Sequence, residues 1–148
     1  MSAMRLDIVT AERLLYSEEV EGVVAPGTAG VLGILPGHAP LLTTLAPGEL
    51  LISKDGERSA IAVSGGFLEV LRNQVVVLAD TAEQAEEIDI ERAEAALQRA
   101  QERVDSADSA MDLQRALLAM RRSRARIAVA RRRRRATARG VGGDQPQV

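Results

Sequence analysis

The stretch "QVVVLADTAEQAEEIDIERAEAALQRAQERV" (74–104) decides the fold, because the repeat of its apolar residues changes partway along it. Its first six residues are branched and strand-length. Beyond "TAEQAEE", Ala93, Ala96, Leu97, Ala100 and Val104 recur at helical spacing, which predicts an amphipathic helix over 90–104, about 22 Å long. The join falls at "IDIERA" (88–93). Asp89 suits the N-cap, its carboxylate accepting from a backbone N–H one turn in. A capping box would place Glu or Gln at 92. The chain has Arg92, a cation where the helix dipole favours an anion. Either the cap is poor or the arginine serves something outside the helix.

Upstream, "MRLDIV", "VEGVVA", "GVLGIL", "GELLIS", "RSAIAVS" and "GGFLEVL" are further short branched runs separated by Gly, Pro and Asp. Asp55-Gly56 in "KDGE" suits a tight hairpin turn, and Arg72-Asn73 is a weaker turn of the same sort. So many short strands predict a sandwich or flattened barrel. Downstream, "DSADSAMD" breaks the helix, and Ser109 and Asp112 have the spacing of a capping box for a second one. Leu113, Ala116, Leu117, Met120 and Ile127 give that helix its stripe, and the short loop predicts antiparallel packing. The expected class is α+β: a β-sandwich over 1–86, a helical hairpin over 87–136 and a disordered tail over 137–148.

Composition narrows the function. Tyr16 and Phe67 are the only aromatics, which weakens any reading based on base stacking. There is no cysteine, and His38 is the only histidine, so thiol chemistry and His-rich metal sites are excluded within one chain. Without a leader or a membrane-length apolar run, a cytosolic chain or one held on a membrane assembly by protein contacts is expected. Net charge is −2, yet residues 1–87 carry 5 basic and 13 acidic residues (−8), whereas 88–148 carry 14 and 8 (+6). Two regions with different electrical roles follow.

Arg92, Arg99 and Arg103 are separated by 7 and 4, as are Arg115, Arg122 and Arg126. Each trio falls within about 40° on its own helix. In an antiparallel pair the two trios can flank one groove, where an anion would relieve their repulsion and accept from Arg forks. The alternative is a solvated basic face balanced by Glu91, Glu94 and Glu102. No glycine-rich phosphate loop with Lys-Ser/Thr occurs, so such a groove would sense rather than hydrolyse a nucleotide. The run Arg131 to Arg135 suits a helix C-terminus. It also admits a nucleic-acid-binding adaptor as the rival function, although no interleaved aromatics support base readout. No nucleophile and base occur in a set that would make the chain an enzyme.

"GVLGILPGHAPLLTTLAPGEL" (30–50) and "AVSGGFLEVLRNQVVVLADTAEQAEEID" (62–89) resemble the epsilon subunits of F-type ATP synthases. The likeness extends over roughly residues 4–135, outside only the Arg/Gly tail. It implies a β-sandwich followed by a helical hairpin, and a non-catalytic place on the central stalk of a proton- or sodium-translocating enzyme at the cytoplasmic face of a bacterial membrane. The implied partners are the gamma subunit, the ring of c subunits, and the alpha and beta subunits when the hairpin extends. Ring and stalk contacts are implied around Val31, Leu32 and His38, though "LPGHAPLL" also reads simply as a bend between strands. Contacts to an acidic segment of beta are implied for Arg122, Arg126 and Arg131. No cofactor is required, but ATP is implied as a regulatory ligand of the folded hairpin. The matching positions are Glu83, Ile88, Asp89, Arg92, Ala93, Arg99, Arg122 and Arg126, with Glu83 toward the ribose, Ile88 and Asp89 toward the adenine, and the arginines toward the phosphates.

Overall fold

The computed structural model describes residues 3–142, with side chains described through Arg133. Ten strands come first: β1 Met4–Val9, β2 Leu14–Val20, β3 Gly22–Gly27, β4 Gly30–Ile34, β5 Leu41–Leu45, β6 Gly48–Lys54, β7 Glu57–Val63, β8 Gly66–Leu71, β9 Gln74–Ala79 and β10 Ala82–Gln84. They pair in the order β10-β7-β6-β3-β5-β8-β9-β1-β2, with β4 on β3. A 3-10 turn (Ala85–Glu87) leads to α1 (Ile90–Asp105) and α2 (Ala110–Gly142). Among the described residues no helix is long and apolar enough to cross a membrane.

The sandwich core follows from alternation along the strands. In β1, Met4, Leu6 and Ile8 point inward and are buried, and they meet Leu50, Ile52, Leu68, Val70, Val75 and Val77. Fully burying such a side chain contributes about 1.5–3 kcal/mol, so aliphatic volume replaces the missing aromatics. Every pairing is antiparallel except β1 with β9, which run parallel. The β6–β7 hairpin turns through Asp55 (φ 52°) and Gly56 (φ 76°), and β8–β9 through Arg72 (φ 52°) and Asn73 (φ 59°). Both are left-handed pairs whose twist suits a two-residue hairpin. At Gly66 (φ 133°) a Cβ would stand 2.1 Å from the Leu78 carbonyl oxygen, so glycine is required where β8 crosses β9.

Four elements differ from the sequence expectation. β2 and β5 are additional strands: "LLYSEEV" places Glu18 and Glu19 side by side, which hides alternation on a strand at one end of the sheet. β10 is only three residues long. α2 continues through Gly142, six positions beyond the expected end of the hairpin at 136, because Ala and Arg are good helix formers up to Gly140. Residues 143–148 of the expected tail lie outside the described residues.

The caps hold α1 and α2 where the spacing placed them. Asp89 Oδ1 accepts from the Arg92 backbone N–H at 3.2 Å, and Ser109 Oγ accepts from the Asp112 N–H at 3.1 Å. The hairpin is folded, with Ala93 and Ala100 of α1 buried together with Ala116 and Met120 of α2. The second half of α2 also lies across β6 and β7, where Ala62, Ile88, Val129 and Ala130 form a second small core. The 3-10 turn is tied to the β1–β2 connection by Arg13, whose Nη2 donates to Glu87 Oε1 at 2.7 Å. That hydrogen bond holds the Glu87 carboxyl below its ordinary range.

Candidate functional site

A cavity of about 610 Å³ lies where α1, α2 and the β7–β10 edge of the sandwich converge. Small residues make the room: Ala96 and Ala100 on α1 and Ala119 on α2 face it, where larger side chains would close it. Four arginines surround the space, Arg99 and Arg103 from α1 and Arg122 and Arg126 from α2. Their helical spacing brings each pair onto one face, and antiparallel packing turns the two faces toward each other.

The sandwich side supplies the acceptors. Glu83, in β10 opposite Ala62, holds Arg126 twice: Arg126 Nη2 donates to Oε2 at 3.2 Å, and Nε lies 2.9 Å from Oε1. The second contact is electrostatic rather than a hydrogen bond, because Nε is buried and not aligned with the oxygen, so its proton lacks an acceptor. Asp80, Ser64 and Thr81 complete the polar wall, with the Thr81 hydroxyl donating to Ser64 Oγ at 2.7 Å. Ser123, buried on α2, faces the same space. Arg99, Arg103 and Arg122 make no ion pair among the described residues. Four guanidiniums therefore confront two carboxylates, a net positive cavity with donors to spare.

Of the residues read from the sequence, the structure brings Glu83, Arg99, Arg122 and Arg126 to this cavity. The other four gather at the start of α1, off its wall. Ile88 is buried and donates its N–H to the Ala85 carbonyl at 3.2 Å, Ala93 is buried beneath the helix, and Asp89 is occupied in capping. The Arg92 side chain is exposed and makes no hydrogen bond or ion pair among the described residues. The cap itself is formed, since the Arg92 backbone donates to Asp89. Arg103 belonged to the spacing trio without entering the expected ligand set. Ser64, Asp80 and Thr81 carried no signal, because only the sheet pairing places them opposite the helices.

The expected ring and stalk residues lie apart from this cavity, whereas Arg122 and Arg126 of the expected beta contact line it. Val31 is 75% exposed on β4, and Leu35 is 67% exposed just after it. The intervening turn is fastened to the β8–β9 hairpin by Gly37, whose N–H donates to Asn73 Oδ1 at 2.6 Å. His38 Nδ1 lies 2.7 Å from the Ala39 carbonyl oxygen, which can accept a hydrogen bond from it. Leu42, Phe67 and Leu78 add an exposed apolar strip on β5, β8 and β9. Arg131 pairs with Glu94 at 3.3 Å, Arg133 with Glu86 at 3.2 Å, and Arg132 with Glu49. The described part of the arginine run is therefore matched to acids of β6, the 3-10 turn and α1.

Comparison with known proteins matches residues 3–85 to the family "ATP synthase, Delta/Epsilon chain, beta-sandwich domain" and residues 86–131 to "ATP synthase, Delta/Epsilon chain, long alpha-helix domain". The ATP synthase epsilon chain of Desulforamulus reducens is 53% identical over 126 residues, covering 85% of this chain and 96% of that one. The epsilon chain of Herpetosiphon aurantiacus is 53% identical over 131 residues, covering 88% and 96%. A chain in the Euglena gracilis mitochondrial ATP synthase assembly of OSCP, F1 and c-ring shares the fold, with a TM-score of 0.72 over 82% of this chain and 77% of that one at 24% identity. A sandwich and a two-helix hairpin, matched in order and at this identity over nearly the whole length of its relatives, mean that the chain belongs to the ATP synthase epsilon chain family.

Proposed function

We propose that this subunit, which has no catalytic site of its own, occupies the central stalk of an F-type ATP synthase and couples rotation of the c-ring to the catalytic head. Its hairpin acts as an ATP-sensitive brake on hydrolysis. The observation that carries the sensor reading is the cavity of four arginines, which exists only while both helices lie folded against the sandwich edge. A polyphosphate entering it would meet Arg99, Arg103 and Arg122 unpaired and would compete with Glu83 for Arg126. The freed Glu83 carboxylate would then be open to a ribose hydroxyl. A ligand that binds only the folded hairpin stabilises it by RT ln(1 + [L]/Kd), about 2.7 kcal/mol at a hundredfold excess over Kd. When ATP falls, α2 is freer to leave and set its arginines against an acidic segment of beta.

The partner surfaces follow from exposure. Val31, Leu35, Leu42, Phe67 and Leu78 are exposed apolar side chains that would be favoured by cover from other subunits, which supports ring and gamma contacts there. The nucleic-acid reading loses ground, because each described guanidinium of the run already meets a carboxylate.

Calorimetric titration of ATP into the full chain tests the sensor. Saturable binding by the native chain and a loss of at least tenfold in Arg122→Ala are expected; no binding, or equal binding by both, refutes it. Removing residues 88–148 should raise ATPase activity of the reconstituted enzyme, and unchanged activity would refute the brake.

A further inference from the structure

A second cavity, of about 470 Å³, lies farther along α2 and shares no residue with the first. Its floor is apolar: Leu51 of β6 and Ala60 of β7 are partly exposed there, with Ile61 and Val129 buried behind them. Its rim is basic. Arg58 of β7 makes no hydrogen bond or ion pair among the described residues. Arg132 is tied to Glu49 through Nε, which leaves its terminal amino groups as donors. Glu86 also stands at the rim, a poor neighbour for a highly charged anion.

An apolar floor beneath one unmatched guanidinium suits a ligand with a compact apolar body and a single negative charge. The volume is that of a small-molecule site, and an Arg fork donates two parallel hydrogen bonds to a carboxylate. We propose that this cavity binds a free medium-chain carboxylic acid, its chain on Leu51 and Ala60 and its carboxylate at Arg58 and Arg132. The walls come from both the sandwich and α2, so occupancy requires the folded hairpin and holds it folded. This control is independent of the arginine cavity and does not rest on its reading as an ATP site.

Decanoate is the probe, titrated into the isotope-labelled full chain and followed by amide NMR. Saturable shifts are expected at residues 58–61, 84–86 and 129–133. Arg58→Gln, an exposed strand position that leaves the core intact, should weaken binding about fivefold or more, since a charge-assisted contact is lost. Ala60→Leu should fill the floor and abolish binding, and decanol should bind the native chain no better than decanoate binds Arg58→Gln. Vesicles of anionic phospholipid, whose headgroups are anchored, should leave these amides unmoved. The proposal is overturned by absent or unsaturable shifts, by shifts centred on Leu42 and Phe67, by native affinity in either variant, by decanol binding as tightly as decanoate, or by an Arg58-dependent response to vesicles.

Discussion

Replacing Glu83 by Gln should loosen the helical hairpin without disturbing the sandwich. Glu83 and Arg126 each retain 29% of their side-chain exposure, and the carboxylate faces the guanidinium at 2.9 and 3.2 Å. At about 4 Å and an effective dielectric of 20 the attraction of such a pair is about 4 kcal/mol before desolvation is subtracted. Partial exposure and the hydrogen bond that Gln retains reduce the net loss to about 1–2 kcal/mol. Repulsion adds to it, because Arg126 then faces Arg99, Arg103 and Arg122 with Asp80 as the remaining carboxylate of the cavity. Hydrogen exchange of the full chain reads the result. Since about 1.4 kcal/mol is tenfold, α2 amides from Ala116 to Ala130 should exchange about 5- to 30-fold faster if they open with the hairpin. Amides of Leu6, Val75 and Val77, in the sandwich core, should keep their native rates. Unchanged protection of α2, or an equal loss in both regions, would refute the assignment of this pair as the tie between hairpin and sheet edge.

The sandwich makes its own predictions. Leu68→Ala, at a side chain with no exposure, should cost about 2–5 kcal/mol in chemical denaturation, and a loss below 1 would contradict the core as described. Gly66→Ala should destabilise more than an Ala substitution in an exposed turn, because its Cβ meets backbone at 2.1 Å; native thermal stability would show that the β8–β9 approach is looser than observed. Tyr16 is the only tyrosine, so absorbance near 295 nm titrates one group: burial first, and the Glu18 carboxylate second, push its hydroxyl up to about 12. The fold favours the neutral phenol, so its contribution is complete below pH about 10 and lost as pH rises through about 12; a midpoint at 10 would refute the burial. Asp89→Ala should cost α1 about 1 kcal/mol, seen as faster exchange of its first turn, and Asp89→Asn much less.

The change of period after residue 80, the caps at Asp89 and Ser109 and the turn at Asp55-Gly56 were legible because each depends on neighbours a few positions apart. β2 was not, since an end strand with one face in water tolerates adjacent Glu18 and Glu19. The parallel pairing of β1 with β9 joins residues some 70 positions apart, and nothing local announces it. The candidate site divides along the same line. Spacing grouped Arg92 with Arg99 and Arg103, but the cavity opens beside α1 from Ala96 to Arg103, so the latter two reach it and Arg92 stays outside. Asp80 and Ser64 were invisible for the converse reason: strands place them, and no helical repeat points to them.

The ion pairs along the second half of α2 have a mechanical consequence. Arg126, Arg131, Arg132 and Arg133 are held by carboxylates on four separate pieces of structure: β10, α1, β6 and the 3-10 turn. The three more exposed pairs beyond Arg126 are each worth about 0–1 kcal/mol, so none of them alone locks that end of the helix. They behave as a row of weak fasteners that let go in succession, and each guanidinium released becomes available to an outside acid before the next must open. Detachment is then graded rather than abrupt, and salt should fray α2 from Arg133 back toward Arg126, an order that amide exchange along the helix would display.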